Sequence, residues 1–299
     1  WIGDEVTKLE TVLDVIGDHH SSCLPKTRIN VLNAIREWAD DPSSPQIWWL
    51  TDVAGAGKST IAKHLSDEWR RERKLGACFF FDKNRRETSN THRFCETIAY
   101  QFATNHLTLR PSVIHGIREL HSDPSFAPLV DKLREMVIGP VKGSGLILVI
   151  DALDECDKAD RGKLLHNLLD LLPQARPTKL LVTSRAESDL AHHLERYRSK
   201  TDSLHDVDLQ SNQNDISIFV ENQLSSLVLS SILGQNDVKL LSQRVSCLFI
   251  LASTACKAIN DDLDPRAMLE ILLSPKSNAL LGINELYETI LRKACINPQ

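Results

Sequence analysis

The chain has 299 residues, 42% hydrophobic and 25% charged, enough for one large domain or two ordinary ones with a sizeable core. A net charge of −5 excludes a global basic field that would recruit nucleic acid or an anionic membrane. No apolar run approaches the roughly 20 residues that span a bilayer, and seven scattered cysteines without a C-x-x-C argue against a disulfide framework or a zinc site and for a reducing, cytoplasmic setting.

The opening stretch, WIGDEVTKLETVLDVIGDHH, is acidic and lacks the basic-then-apolar order of a signal peptide. It starts at Trp1, so the chain is expected to be a segment of a longer or processed protein. Val6, Leu9, Val12, Leu13 and Ile16 recur at helical spacing and predict a lead-in helix over 5–16. A second helix is predicted over 29–39 from Ile29, Leu32, Ile35 and Trp38, and DDPSSP after it reads as a loop.

Short apolar runs then alternate with helical patterns. Strands are predicted at 47–51 (IWWLT), 76–81 (GACFFF), 146–151 (LILVID) and 179–184 (KLLVTS), with a weaker one at 204–209 (LHDVDL). Helices are predicted at 58–73, 90–106, 112–121, 126–138 and 163–172. This alternation predicts a mainly parallel sheet covered on both faces. Beyond about 210 the pattern is helical only, over 215–227, 238–245, 248–259, 265–273 and 283–294, so an all-α module is expected there.

The chemistry gathers where predicted strands end. IWWLT runs into Val53-Ala54-Gly55-Ala56-Gly57-Lys58-Ser59-Thr60, most of the phosphate-binding pattern G-x-x-x-x-G-K-[ST]. A bare G-K-[ST] triplet arises by chance in roughly one chain in seven of this length, so the context carries the reading. Gly55 and Gly57 would let the backbone turn its N–H groups inward, Lys58 would reach terminal phosphates, and the Ser59 hydroxyl would bind Mg²⁺. Asp52 stands where the pattern has its first glycine. It tolerates left-handed backbone better than most residues, so a formed site is expected, with affinity reduced by the nearby negative charge. LILVIDALDE places Asp151 at a strand end, where a carboxylate holds Mg²⁺, with Asp154 and Glu155 within reach of an attacking water. KLLVTSR ends at Arg185, placed to contact a γ-phosphate or, alternatively, to cap a helix or pair with Glu187.

VAGAGKSTIA, LILVIDALDEC and KLLVTSR, in this order and spacing, resemble the NACHT domain of the STAND class of P-loop NTPases, above all fungal proteins built like animal and plant innate-immunity receptors. CLPKTRINVLNAIREWADDP resembles their lead-in and VSCLFILASTACKAI a motif of their helical domain, although a glycine is usual near Cys247. The resemblance implies an ASCE-type P-loop sheet of order 5-1-4-3-2, flanked by helices and followed by an all-α domain. It also implies boundaries of 1–22 for a lead-in, 23–210 for the nucleotide domain and 211–299 for the helical domain, ending before or at the start of a winged-helix domain. It further implies ATP or ADP with Mg²⁺, slow hydrolysis, and a switch that self-associates in the ATP form. Lys58 and Ser59 take the phosphate-loop roles, Ser59 and Asp151 hold Mg²⁺, Asp154 and Glu155 share activation of water, Arg185 is the sensor, and Thr27 and Arg28 lie near adenine or ribose. Effector and sensor domains fall outside the sequence, and no nucleic-acid or membrane partner is implied. Two other classes compete: a conventional P-loop kinase or motor ATPase, and a scaffold that keeps the fold but has lost nucleotide.

Overall fold

The computed structural model describes residues 4–7, 9, 11, 17, 20–120, 123–196, 200–203, 209–246, 248–274, 284, 286–288 and 290–291. The chain divides into two compact units. One holds residues 1–22, 30–53 and 58–204; the other holds 23–29, 54–57 and 205–299.

The first unit is built on a parallel sheet. Its strands are β1 (Ile47–Thr51), β2 (Leu75–Phe80), β3 (Ile147–Asp151), β4 (Lys179–Ser184) and β5 (Lys200–Ser203), in the order β2-β3-β4-β1-β5. β1 to β4 are buried along their whole length, which explains why they read as unbroken apolar runs rather than alternating ones. Trp48 and Trp49 leave β1 on opposite faces. Trp48 packs edge-on to Trp38 of α2 (Ile29–Asp40) with ring centroids 5.7 Å apart, and Trp49 Nε1 donates to Ser184 Oγ at 2.7 Å.

Helices α3 (Lys58–Arg71), α4 (Phe94–Asn105), α5 (Arg110–Glu119), α7 (Lys158–Leu171) and α8 (Ser188–Arg196) flank the sheet, with short α1 (Asp4–Thr7) and α6 (Leu129–Lys132). At the edge strand β2, the Gln101 amide occupies both main-chain groups of Cys78, accepting from its N–H at 3.0 Å and donating to its carbonyl at 2.7 Å. An amide side chain thus closes part of an edge that would otherwise present free hydrogen-bonding groups. Between α4 and α6, Lys132 Nζ meets Glu96 Oε1 at 3.0 Å with both side chains buried.

Several expectations change. The single helix expected over 126–138 is instead a 3-10 turn at Pro124–Phe126, then α6, then a wider π-helical stretch over Leu133–Ile138. Pro128 breaks the run because it supplies no N–H to a continuing helix. A fifth strand lies at 200–203; the one expected at 204–209 falls on residues outside the described set up to 208, and Leu209 begins a helix. Helix α8 has no predicted bounds, although its adjacent His192 and His193 read as helix surface from the sequence. Of the lead-in helix only α1 with buried Val6, buried Leu9 and Thr11 are described, the last two outside the helix; Val12, Leu13 and Ile16 lie outside the described residues, as do Cys247, Cys295 and most of 283–294.

The second unit's described elements beyond 204 are α9 (Leu209–Gln223), α10 (Ser225–Leu229), α11 (Gln235–Arg244), α12 (Phe249–Asn260) and α13 (Pro265–Leu273). They share a core containing Ile216, Val220, Leu241, Ala255 and Met268. Asp264 caps α13 by accepting from the Ala267 N–H at 3.0 Å, with Pro265 in its first turn. Among the described residues no helix is long and apolar enough to cross a membrane.

The buried Lys132–Glu96 pair gives a direct test. Lys132→Met alone should lower unfolding free energy by about 3–5 kcal/mol, because it takes the ammonium partner from a buried carboxylate. Adding Glu96→Leu should restore most of that loss in urea titrations.

Candidate functional site

In a parallel sheet the strand ends that emerge together carry the loops where ligands bind. In the first unit these are the exits of β1, β3 and β4. β1 leads to Asp52, whose Oδ1 accepts from the Val53 N–H at 2.6 Å. Its main chain lies outside the left-handed region, which in this loop is occupied only by Gly55 (φ +78°) and Gly57 (φ +95°). The expectation that Asp52 must tolerate a left-handed backbone is therefore corrected. The turn is made at Gly55 and Gly57, and the missing first glycine costs no backbone strain.

Lys58 begins α3, and its Nζ donates to the carbonyls of Asp52 at 2.8 Å and Val53 at 2.9 Å. Burial lowers its pKa, against the opposing charges of Asp154, Asp52 and Asp151. Ser59 and Thr60 follow in the first turn, where helix N–H groups have no intrahelical acceptor.

β3 ends at Asp151, which is fully buried. The Thr183 hydroxyl donates to its Oδ1 and accepts from the Ala152 N–H at 3.0 Å. Ala152 takes a left-handed conformation (φ 53°, ψ 43°), uncommon for a residue with a Cβ. It turns the chain sharply out of the strand and into the short turn that holds Asp154 and Glu155. Asp151 Oδ2 is buried without a hydrogen-bond partner. Burial raises the carboxyl's pKa, opposed by the Thr183 and Ser59 hydroxyls and by the charges of His20 and Lys58.

β4 leads to Arg185. Its main-chain N–H donates to Asp154 Oδ1 at 3.0 Å, and its Nε pairs with Asp154 Oδ2 at 3.1 Å. The alternative pairing with Glu187 is not formed, because Glu187 is held by Arg161. Asp154 is thus engaged on both oxygens, while Glu155 Oε2 accepts only a long bond from the Lys83 N–H at 3.3 Å. Cys156, next along the loop, is a buried thiol pushed up to about 12, and so no nucleophile.

Residues 54–57 belong with the second unit, as do Thr27 and Arg28. Thr27 Oγ1 donates to the Leu24 carbonyl at 2.8 Å. Arg28 Nη2 donates to the Ala56 carbonyl at 2.6 Å, its guanidinium lies 4.6 Å from the centre of the Phe249 ring, and its N–H donates to buried Asp215 at 2.9 Å. The Gly55 carbonyl accepts from the Ile250 N–H at 3.2 Å, and a Cβ at Gly55 would sit 2.4 Å from Ile250 Cγ2. Arg28 therefore contacts the phosphate-loop backbone itself.

The sequence reading did not single out Thr183 or Arg161. Thr183 was visible only as part of a buried strand. Arg161 fell in a loop because the helix was expected to begin at 163. The structure starts that helix at Lys158, and Arg161, Leu164, Leu165 and Leu168 then form one buried stripe. That spacing is the signal that could have found it.

The residues present fit a magnesium–nucleotide complex. Lys58 and Ser59 open a helix, and the buried carboxylate at the end of β3 has an unsatisfied oxygen. Among the described residues no group of three or more His, Cys, Asp and Glu side chains could hold a metal alone, so the ion would draw other ligands from phosphate and water.

The family model described as "Nephrocystin 3, N-terminal" matches residues 4–185. No curated protein matches the chain. Among solved structures, the Walker-type ATPase PABY2304 of Pyrococcus abyssi is 10% identical, with a TM-score of 0.50, over 93% of this chain and 76% of that one. Domain III of the Thermotoga maritima replication initiation protein DnaA is 12% identical, with a TM-score of 0.46, over 81% of this chain and 89% of that one. The Aeropyrum pernix ORC2 protein is 12% identical, with a TM-score of 0.47, over 87% of this chain and 71% of that one. At such identities the likeness to the Pyrococcus ATPase is one of fold alone.

Two substitutions probe the site. Asp52→Gly removes a charge from the loop without altering a strained backbone, and should tighten MgADP binding by roughly fivefold, about 1 kcal/mol, in isothermal titration. Thr183→Val leaves Asp151 Oδ1 and the Ala152 N–H without their shared partner and should cost about 1–3 kcal/mol of stability in thermal or urea unfolding.

Proposed function

The chain belongs to the nephrocystin 3 N-terminal family, and we propose that it is a nucleotide-dependent switch: a P-loop module that binds ATP or ADP with Mg²⁺, hydrolyses slowly and self-associates in one nucleotide state. The observation that carries this reading is the unsatisfied, fully buried oxygen of Asp151 at the exit of β3. A buried carboxyl oxygen without a partner is costly, and a divalent cation, which favours the ionised form against burial, is the natural group to satisfy it.

In this reading the main-chain groups from Val53 to Thr60 cradle the phosphates, Lys58 turns from the loop carbonyls to the terminal phosphates, and Ser59 with Asp151 holds Mg²⁺. The cation, when bound, draws negative charge from the phosphates. Glu155, which makes one weak main-chain contact, orients and deprotonates the attacking water. Asp154 joins it when Arg185 turns to the γ-phosphate, which is how the triphosphate is sensed. Thr27 and Arg28 lie toward the adenine or ribose. The NACHT-like, receptor-type switch with nucleotide domain 23–210 and helical domain 211–299 is the form this takes, with a cytoplasmic setting and with effector and sensor domains elsewhere in the protein. Support comes from the order of the three strand-exit motifs and from the run of helices after residue 208.

A second reading, a scaffold without nucleotide, is favoured by one observation: Lys58 already spends hydrogen bonds on the Asp52 and Val53 carbonyls. Isothermal titration with MgADP and MgATP separates the two. The switch requires saturable binding that Lys58→Ala weakens at least about tenfold, and size-exclusion profiles that differ between MgADP and a non-hydrolysable ATP analogue. A turnover above about 1 s⁻¹ would point instead to a conventional ATPase.

A further inference from the structure

Arg161 lies in the first turn of α7 with its side chain only 4% exposed. Nε and Nη2 donate to the two carboxylate oxygens of Asp189 at 3.0 Å each, and Nη2 also donates to Glu187 Oε2. Nη1 donates to the main-chain carbonyl of Asp154 at 2.8 Å. Asp189 sits in the first turn of α8 and Glu187 just before it. One planar guanidinium therefore joins the loop leaving β3 to the loop leaving β4.

Those two loops carry the partners of the Asp154–Arg185 pair. Arg161 makes no hydrogen bond to the Asp154 carboxylate or to Arg185; it holds the backbone on which they stand. The two arginines differ in burial, and that difference assigns their roles. The Arg185 side chain is 43% exposed, so its bond to Asp154 is the kind that solvent weakens and a phosphate can displace. Arg161 is buried in a bidentate geometry, which fixes direction as well as distance. Burial works against its charge, yet the hydrogen bonds to Glu187 and Asp189 outweigh it and the guanidinium is held charged more firmly than in water. A buried ion cluster of this kind is a poor source of stability compared with apolar packing, so its geometry is what it contributes.

We propose that Arg161 is a positioning residue for triphosphate recognition, keeping the β3 and β4 exit loops in register while Arg185 exchanges Asp154 for a terminal phosphate. The inference rests on the nucleotide-switch reading above. It separates two properties: contacts to a diphosphate belong to the loop ending at Ser59, which Arg161 does not touch, whereas discrimination of the third phosphate depends on the clamp.

The test is isothermal titration of the chain and of Arg161→Lys with MgADP and with a non-hydrolysable ATP analogue. A lysine keeps the charge but cannot span Asp189, Glu187 and the Asp154 carbonyl together. Affinity for MgADP should stay within about twofold, while affinity for the triphosphate analogue falls about tenfold relative to it. Asp189→Asn, which keeps Arg161 and its bonds to Glu187 and Asp154, should give a smaller change in the same direction and carries the test if the lysine variant does not fold. A parallel loss of both affinities, or an unchanged ratio in variants that fold, overturns the inference. An original chain that binds neither nucleotide overturns the switch reading and the inference with it.

Discussion

Everything in the first unit's site follows from placing a carboxylate where water cannot reach it. Asp151 ends a strand buried on both faces, so its oxygens depend on neighbours from the sheet itself. The parallel register that sets Ile150 beside Val182 brings Thr183 alongside Asp151. One hydroxyl then serves as donor to the carboxylate and acceptor for the next amide. A slip of one residue would turn Thr183 to the other face of the sheet and leave both groups unpaired. The left-handed Ala152 is the geometric counterpart of this arrangement, since it turns the chain out of the strand at once and into the turn that holds Asp154 and Glu155.

The division between what the sequence showed and what it hid has a physical basis. Central parallel strands are apolar throughout, so IWWLT and KLLVTS were legible with their true ends, and the chemistry attached to those ends was legible with them. The helix at 265–273 was equally clear, because Asp264 and Pro265 mark its start. The fifth strand, KTDS, has no apolar signature, since an edge position does not require one. The stretch 126–138 has helical spacing, but its backbone changes winding within a few residues, which side-chain periodicity does not record.

Within the site, residues that would act on a ligand were legible and residues that hold them were not. Lys58, Ser59, Asp151 and Arg185 follow short patterns tied to strand ends. Arg161 finds its carboxylate partners 26 and 28 residues away, at Glu187 and in the first turn of α8. Asp52 was conspicuous as a departure from pattern, yet the backbone explanation for it was wrong: its conformation is ordinary, and what it alters is charge.

The contact between Gly55 and Ile250 joins main chain to main chain. Ile250 is the second residue of α12, where an amide has no acceptor within its own helix, and a carbonyl of the phosphate loop provides one. An alanine at 250 keeps the main-chain N–H and leaves such a bond in place. Two changes reach it: a residue with a Cβ at 55, which collides with Ile250, or a proline at 250, a position in the first helical turn where proline is tolerated but supplies no hydrogen. Residues 54–57 are thereby held to α12 by a link that any replacement of glycine disturbs at 55 and that only proline removes at 250.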